Sequence, residues 1–235
     1  MKRLLLASAV LGLAGTIGTA NAVPLTASDL GIWSGPTTGA ADPANNAVPG
    51  SRALLPLVTP TPNGAASGPI NFNYGAAQNG GSLNNGTIGG FLGTSPTFIS
   101  TCAGACLTTN ISGVQGSFNR ASLFEFSFTA ASNGTLMVTH DDGVSLFTDS
   151  GPGNSPTGAD LFGGTQSSPT TTVSSPTVSL VGGQLYDLFY TAANGLPEIL
   201  TTNFTPAVPE PASLTLLGSA LFGLGWLNRR RRKSA

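Results

Sequence analysis

His140-Asp141-Asp142-Gly143 places the only histidine of the 235-residue chain next to two carboxylates, in a sequence in which just 8% of residues are charged. A histidine beside an aspartate, with many serines elsewhere, raises a Ser-His-Asp constellation, because such triads are defined in space and not by sequence order. No G-x-S-x-G elbow and no H-E-x-x-H pair accompanies it. Neighbouring strand residues also point to opposite faces, which suits a His–Asp hydrogen bond poorly, so His140 reads as a surface or turn histidine. Paired carboxylates for glycoside hydrolysis have no better support, since the acidic residues are scattered along the chain. Read from the residues alone, the tetrapeptide is a turn in which Asp side chains accept from backbone N–H groups.

Two other groups carry chemistry. Cys102 and Cys106, the only cysteines, enclose Ala103-Gly104-Ala105. An even cysteine count in an exported chain favours a disulfide, and small residues permit the tight loop. A metal site would need further ligands that no other Cys or nearby His supplies. At the C-terminus, Pro209-Glu210-Pro211 precedes 17 uncharged residues, 212–228, and then Arg229, Arg230, Arg231, Arg232 and Lys233. That run is slightly short for a membrane span but carries Trp226 as an interfacial anchor, and the basic cluster would hold its end in the cytoplasm. A lipid-anchor signal would end on the hydrophobic stretch without such a stop.

The N-terminus gives these features a compartment. Met1-Lys2-Arg3 is a short basic region, residues 4–17 are mostly apolar, and Ala20-Asn21-Ala22 is a small-x-small site. This is the layout of a secretory signal peptide (residues 1–22) cleaved after Ala22; an uncleaved membrane helix fits less well because the apolar stretch is short. Removing both ends exposes a charge asymmetry. Between Val23 and Val208 only Arg52 and Arg120 stand against nine acidic residues, a net charge of −7. No basic surface remains for nucleic-acid phosphates, so that partner class is excluded. The acidic excess favours solubility and cations.

The elements that must position these residues are strands. Residues 23–69 are rich in Pro, Ala, Gly and Asn and read as irregular, with Pro56 interrupting the one apolar run. From Ile70 the texture is all-β: Ile70, Phe72 and Tyr74 alternate with polar residues. Phe124, Phe126 and Phe128 alternate, then Leu136, Val138 and His140, then residues 144–147, with turn signals between them. This predicts a three-strand antiparallel meander with one buried face. Three more strands are expected around residues 177–181, 184–191 and 198–204, and no amphipathic helix competes. An antiparallel β-sandwich ectodomain over residues 70–206 is the fold that buries these faces.

"SFTAASNGTLMVTHDDGVSLFTDSG" followed by "VSLVGGQLYDLFYTAANGLPEIL" resembles the protective-antigen-type β-sandwich shared by flocculin and GLEYA adhesins and many bacterial carbohydrate-associated modules, over residues 118–204. In the lectin members the paired Asp binds calcium through a cis Asp-Asp peptide, which costs about 3–4 kcal/mol. The resemblance therefore implies Asp141 and Asp142 as calcium ligands, with Asn194 as a third; two carboxylates and neighbouring carbonyls suit a hard cation. Here the loop at 192–197 is short and offers few oxygen side chains, so the turn reading stays open beside the calcium reading. "VPEPASLTLLGSALFGLGWLNRRRRK", within residues 207–233, closely resembles the bacterial PEP-CTERM sorting signal. That implies processing near Pro209-Glu210-Pro211 by an exosortase-type membrane enzyme, then delivery to the surface or matrix of a Gram-negative bacterium that makes exopolysaccharide. The prolines keep the tripeptide out of helix and open to an enzyme. The expectation is an exported, non-catalytic surface or matrix protein. A calcium-dependent adhesin for exopolysaccharide or other glycans is the first alternative and a matrix-modifying hydrolase the second.

Overall fold

Phenylalanine alternation does organise the core, but across two sheets. The computed structural model describes residues 21–37, 47–59, 64–75, 86–93, 95–113, 119–149, 156–167, 171–207, 218 and 221. The chain divides into two units, Asn21–Ala207 and the terminal segments Met1–Ala20 with Val208–Ala235. The signal peptide before Asn21, the Pro209-Glu210-Pro211 tripeptide and the basic cluster lie outside the described residues, as does all of the 212–228 span but Gly218 and Leu221. Among the described residues, no helix is long and apolar enough to cross a membrane.

The first unit is an antiparallel β-sandwich. Its larger sheet runs β2 (Gly64–Pro69), β1 (Thr26–Pro36), β4 (Arg120–Thr129), β10 (Leu185–Ala192), β6 (Gly143–Asp149), β7 (Pro156–Thr157). The smaller runs β3 (Asn71–Tyr74), β11 (Glu198–Pro206), β5 (Gly134–His140), β8 (Val173–Ser174), and β9 (Val178–Leu180) also pairs with β5. The interior holds Leu30, Ile32, Phe124, Phe126, Phe128, Leu188 and Tyr190 from one sheet and Phe72, Leu136, Val138, Leu200 and Phe204 from the other. Each fully buried Phe or Leu contributes roughly 1.5–3 kcal/mol.

Three expectations change. The predicted meander does not form: β4 and β6 flank β10 in the larger sheet, while β5 lies in the smaller. Crossing between sheets sets the Phe124–Phe126–Phe128 row against the Leu136–Val138 row, whereas a flat meander would leave both on one open face. The stretch expected to be irregular, residues 23–69, contains two strands, β1 and β2. β1 is the longest strand and lies between β2 and β4, its Leu30 and Ile32 fully buried despite the surrounding Gly and Ser. Between β3 and β4 the described residues also form short α-helices, α1 (Ile88–Leu92), α2 (Pro96–Thr101) and α3 (Ala105–Thr108). They insert Phe91 and Phe98 against Phe72, with ring centroids 4.7 and 5.6 Å apart. A Cys102–Cys106 disulfide links the end of α2 to α3.

Candidate functional site

Two chain crossings between the sheets run side by side. In the first, β5 ends at His140 and the chain passes through Asp141-Asp142 into β6. In the second, β10 ends at Ala192 and residues 193–197 return to the smaller sheet, where Glu198 opens β11. Leu200 lies opposite His140, so Glu198 extends two residues past the last pair, where the Asp141-Asp142 turn passes. The result is a convergence of Asp141, Asp142 and Glu198, one carboxylate oxygen of each lying within 4.8 Å of the other two. These side chains are nearly sealed from solvent, at 5%, 1% and 0% exposure.

Their hydrogen bonds come mostly from backbone and one phenol. Ile199 N–H donates to Asp141 Oδ1 at 2.8 Å, and Ala193 N–H to Asp142 Oδ2 at 2.8 Å. The Tyr190 hydroxyl is 2.9 Å from both Asp141 Oδ1 and Glu198 Oε2. A phenol has one proton, so it can hydrogen-bond both oxygens only when a carboxyl carries a second. Burial raises Asp141 to about 6, opposed by the Ile199 and Tyr190 hydrogen bonds. Glu198 rises well above the ordinary carboxylate range through burial and then the Asp142 and Asp141 charges. The described residues contain one ion pair, Arg52 with Glu125, and it lies elsewhere. Three buried carboxylates without a basic side chain need protons or a cation, because uncompensated buried charge is costly. An all-oxygen set of this kind fits a hard divalent ion such as calcium.

Asp141 and Asp142 lie in the first crossing, and Asn194 is nearly buried in the second. Glu198 was missed: it lies far along the chain and joins only through the Leu200–His140 register. The Asp141–Asp142 peptide is trans; the cis peptide among the described residues is Leu196–Pro197. His140 is neither a surface nor a turn residue. It is fully buried on the inner face of β5, with Nδ1 2.6 Å from the Asp142 main-chain oxygen. Its Nε2 has no hydrogen-bond partner, so His140 hydrogen-bonds to no serine hydroxyl and no carboxylate, and burial lowers its pKa toward the neutral ring. The triad geometry is not assembled around it.

Comparison with known families adds the destination. Residues 207–232 match the PEP-CTERM protein-sorting motif. The chain is an exported protein carrying a PEP-CTERM signal. The motif implies an exosortase-type enzyme as its processing partner and the cell envelope as its address. No curated protein matches the sequence. Among solved structures, the PA14 domain of the MpAFP antifreeze protein is similar at 18% identity and a TM-score of 0.37, over 80% of this chain and 85% of that one. The epithelial adhesin 9 A domain of Candida glabrata, crystallised with Galβ1-3GlcNAc, is similar at 14% identity and a TM-score of 0.44, over 82% and 88%. The same domain with Galβ1-4GlcNAc gives 13% and 0.41, over 82% and 89%.

Proposed function

We propose that this exported chain is a non-catalytic cell-surface or matrix protein whose β-sandwich is ordered by a divalent cation, calcium by ligand type, held by Asp141, Asp142 and Glu198. The observation that supports this is the convergence of three buried carboxylates at two inter-sheet crossings. A bound ion would supply electrostatic compensation; the protein's own residues do the positioning. Tyr190 and the Ile199 N–H hold Asp141, the Ala193 N–H holds Asp142, and β11 pairing places Glu198. Burial of Asp142 and Glu198 favours an ion that clamps the crossings over one that opens a face to sugar hydroxyls.

The test is calcium binding by the full chain in detergent, read by equilibrium dialysis and thermal melting. An ion at one hundred times its dissociation constant adds about 2.7 kcal/mol of stability. For a domain of this size that is about 5–11 °C in melting temperature. Asp141→Asn/Asp142→Asn and Glu198→Gln should each bind one ion fewer per chain and lose the associated shift. Variants that bind as much calcium as the wild type would overturn the reading. The glycan-binding adhesin remains the second reading, on the sequence resemblance over residues 118–204. A glycan array probed with and without chelator tests it, and binding that needs calcium and Asp141 would favour it.

A further inference from the structure

Residues 86–113, which carry α1, α2 and α3, wall one side of the trio. The two ends of this helical segment are tied together: the Ile88 N–H donates to the Thr109 carbonyl and the Ile111 N–H to the Gly86 carbonyl, each at 2.9 Å. Its last residues are pinned to the larger sheet. The Ser122 hydroxyl donates to the Ile111 carbonyl, and Ser122 lies opposite Ala192, where the second crossing leaves β10. The Gly113 N–H donates to the Arg120 carbonyl at 3.2 Å. Ser112 sits between these two anchors. From α1, Phe91 stacks on Tyr190 with ring centroids 5.6 Å apart and planes 9° from parallel, and the Tyr190 hydroxyl contacts both Asp141 and Glu198.

Ser112 is fully buried, and its Oγ has no hydrogen bond of good geometry. The hydroxyl nevertheless lies beside the Glu198 carboxyl, whose pKa it lowers against the larger rise from burial and the Asp142 and Asp141 charges. Glu198 Oε1 also has no hydrogen-bond partner. Unmet buried oxygens are costly and rare in folded proteins, and a bound cation is one way of meeting them. A hydroxyl is a neutral donor, so it adds to the coordination of a hard ion without adding charge. Calcium takes about six to eight oxygens, which leaves room for a ligand beyond the three carboxylates.

The other deeply buried acids are met differently. Glu125, Asp149 and Asp187 lie on the outer face of the larger sheet, beneath residues 47–59. There Arg52 ion-pairs with Glu125 and the Ser127 hydroxyl donates to Asp187 Oδ1 at 2.7 Å. No ion pair reaches the trio among the described residues, and the Ser112 hydroxyl stands beside it instead.

We propose that Ser112 Oγ is a fourth oxygen ligand of the cation held by Asp141, Asp142 and Glu198, so that the ion ties the helical segment to the two inter-sheet crossings. This rests on the cation reading of the trio and adds to it a neutral ligand from a third part of the chain.

The full-length protein in detergent is titrated with calcium by equilibrium dialysis and melted in chelator and in calcium. Ser112→Ala should bind calcium about three- to tenfold more weakly and reach the same ion count at saturation. In chelator it should melt with the wild type or above it, because removing an unmet buried hydroxyl costs little; in calcium it should melt below it. Ser112→Cys puts a soft sulfur where the hard oxygen was, so it should weaken calcium and bind cadmium about tenfold or more tightly than the wild type does. A residue that only packs would not produce that exchange of preference. If Ser112→Ala does not fold, Ser112→Cys carries both the calcium and the cadmium readouts. Wild-type calcium affinity in Ser112→Ala, a melting loss that is the same in chelator and in calcium, or unchanged cadmium affinity in Ser112→Cys each overturns the proposal. Failure of the trio reading shows separately, as a wild-type ion count in Asp141→Asn/Asp142→Asn and Glu198→Gln; failure of Ser112 alone leaves those variants one ion short.

Discussion

Tyr190→Phe isolates the electrostatics of the trio from its packing. The ring stays, and with it the contacts to Phe91 and Phe124, whose centroids lie 5.6 and 6.1 Å away. Only the hydroxyl goes, and with it the 2.9 Å contacts to Asp141 Oδ1 and Glu198 Oε2. Asp141 Oδ1 keeps the Ile199 N–H, whereas Glu198 loses its one hydrogen bond of good geometry, since Oε1 already lacks a partner. A lost buried hydrogen bond costs about 0.5–1.5 kcal/mol, and a buried acceptor left unsatisfied adds about 1–3 kcal/mol, giving about 3 kcal/mol. At 2–4 °C per kcal/mol for a domain of this size, melting in chelator should fall by about 6–12 °C. Calcium should narrow that gap, because an ion among the three carboxylates replaces much of what the phenol supplied. Calorimetry of both proteins with chelator and with calcium reads the two effects. If Tyr190→Phe melts with the wild type in chelator, the carboxylates do not depend on the phenol and the reasoning fails.

Stability should also depend on pH through the outer face. Burial raises Glu125 to about 8 against the opposing Arg52 charge, and burial raises Asp187 to about 6 despite the Ser127 hydrogen bond; Asp149 adds to both and Asp29 to Asp187. Folded-state values above the unfolded ones mean that the folded protein holds more protons, so this contribution is complete below about pH 4 and is lost as pH rises toward about 8. Melting temperature in chelator should fall across that window, and Glu125→Gln/Asp187→Asn should flatten the fall; equal slopes would refute the assignment. The sandwich should tolerate trimming up to Val23, which pairs both backbone groups with Phe204, at 2.9 and 2.8 Å. Starting the chain at Thr26 instead removes that pairing and buried Leu25, at a cost of at least about 2 kcal/mol in chemical denaturation, and an unchanged midpoint would contradict this. Replacing Pro209-Glu210-Pro211 with alanines should leave the full-length precursor in the membrane fraction, seen as a larger band by electrophoresis; wild-type processing would show that the tripeptide is dispensable.

Strand positions were legible where side chains alternate strongly, as at Phe124, Phe126 and Phe128, and the last three strands fall close to where the pattern put them. Partners were not legible, because period-two alternation names a face and is silent on which strand lies alongside. That is why Asp141-Asp142-Gly143 read as a hairpin turn when it is a crossing between sheets. β1 escaped notice because Gly31, Ser34 and Gly35 dilute its apolar content, although both of its faces are covered. The helices are four to six residues long, too short for a 3.6-residue period to show. Of the trio, Asp141 and Asp142 announce themselves by adjacency. Glu198 has no local signal, since its membership depends on strand register and on the length of the second crossing.

The placement of acidic residues changes what the net charge of −7 means. In the sequence it reads as a solubilising surface, which would leave the carboxylates in water. In the fold, six of the nine ectodomain acids, Glu125, Asp141, Asp142, Asp149, Asp187 and Glu198, are no more than 5% exposed. They form two groups, one at the crossings and one on the outer face, and the ion pair among the described residues, Arg52 with Glu125, belongs to the second. A charge buried this way cannot be screened by salt or hydrated, so it must be met by a proton or by a cation at short range. Proton and ion then compete for the same oxygens. Calcium dependence and pH dependence of this protein are therefore two readings of one equilibrium, and calcium should matter most toward neutral pH, where the protons leave.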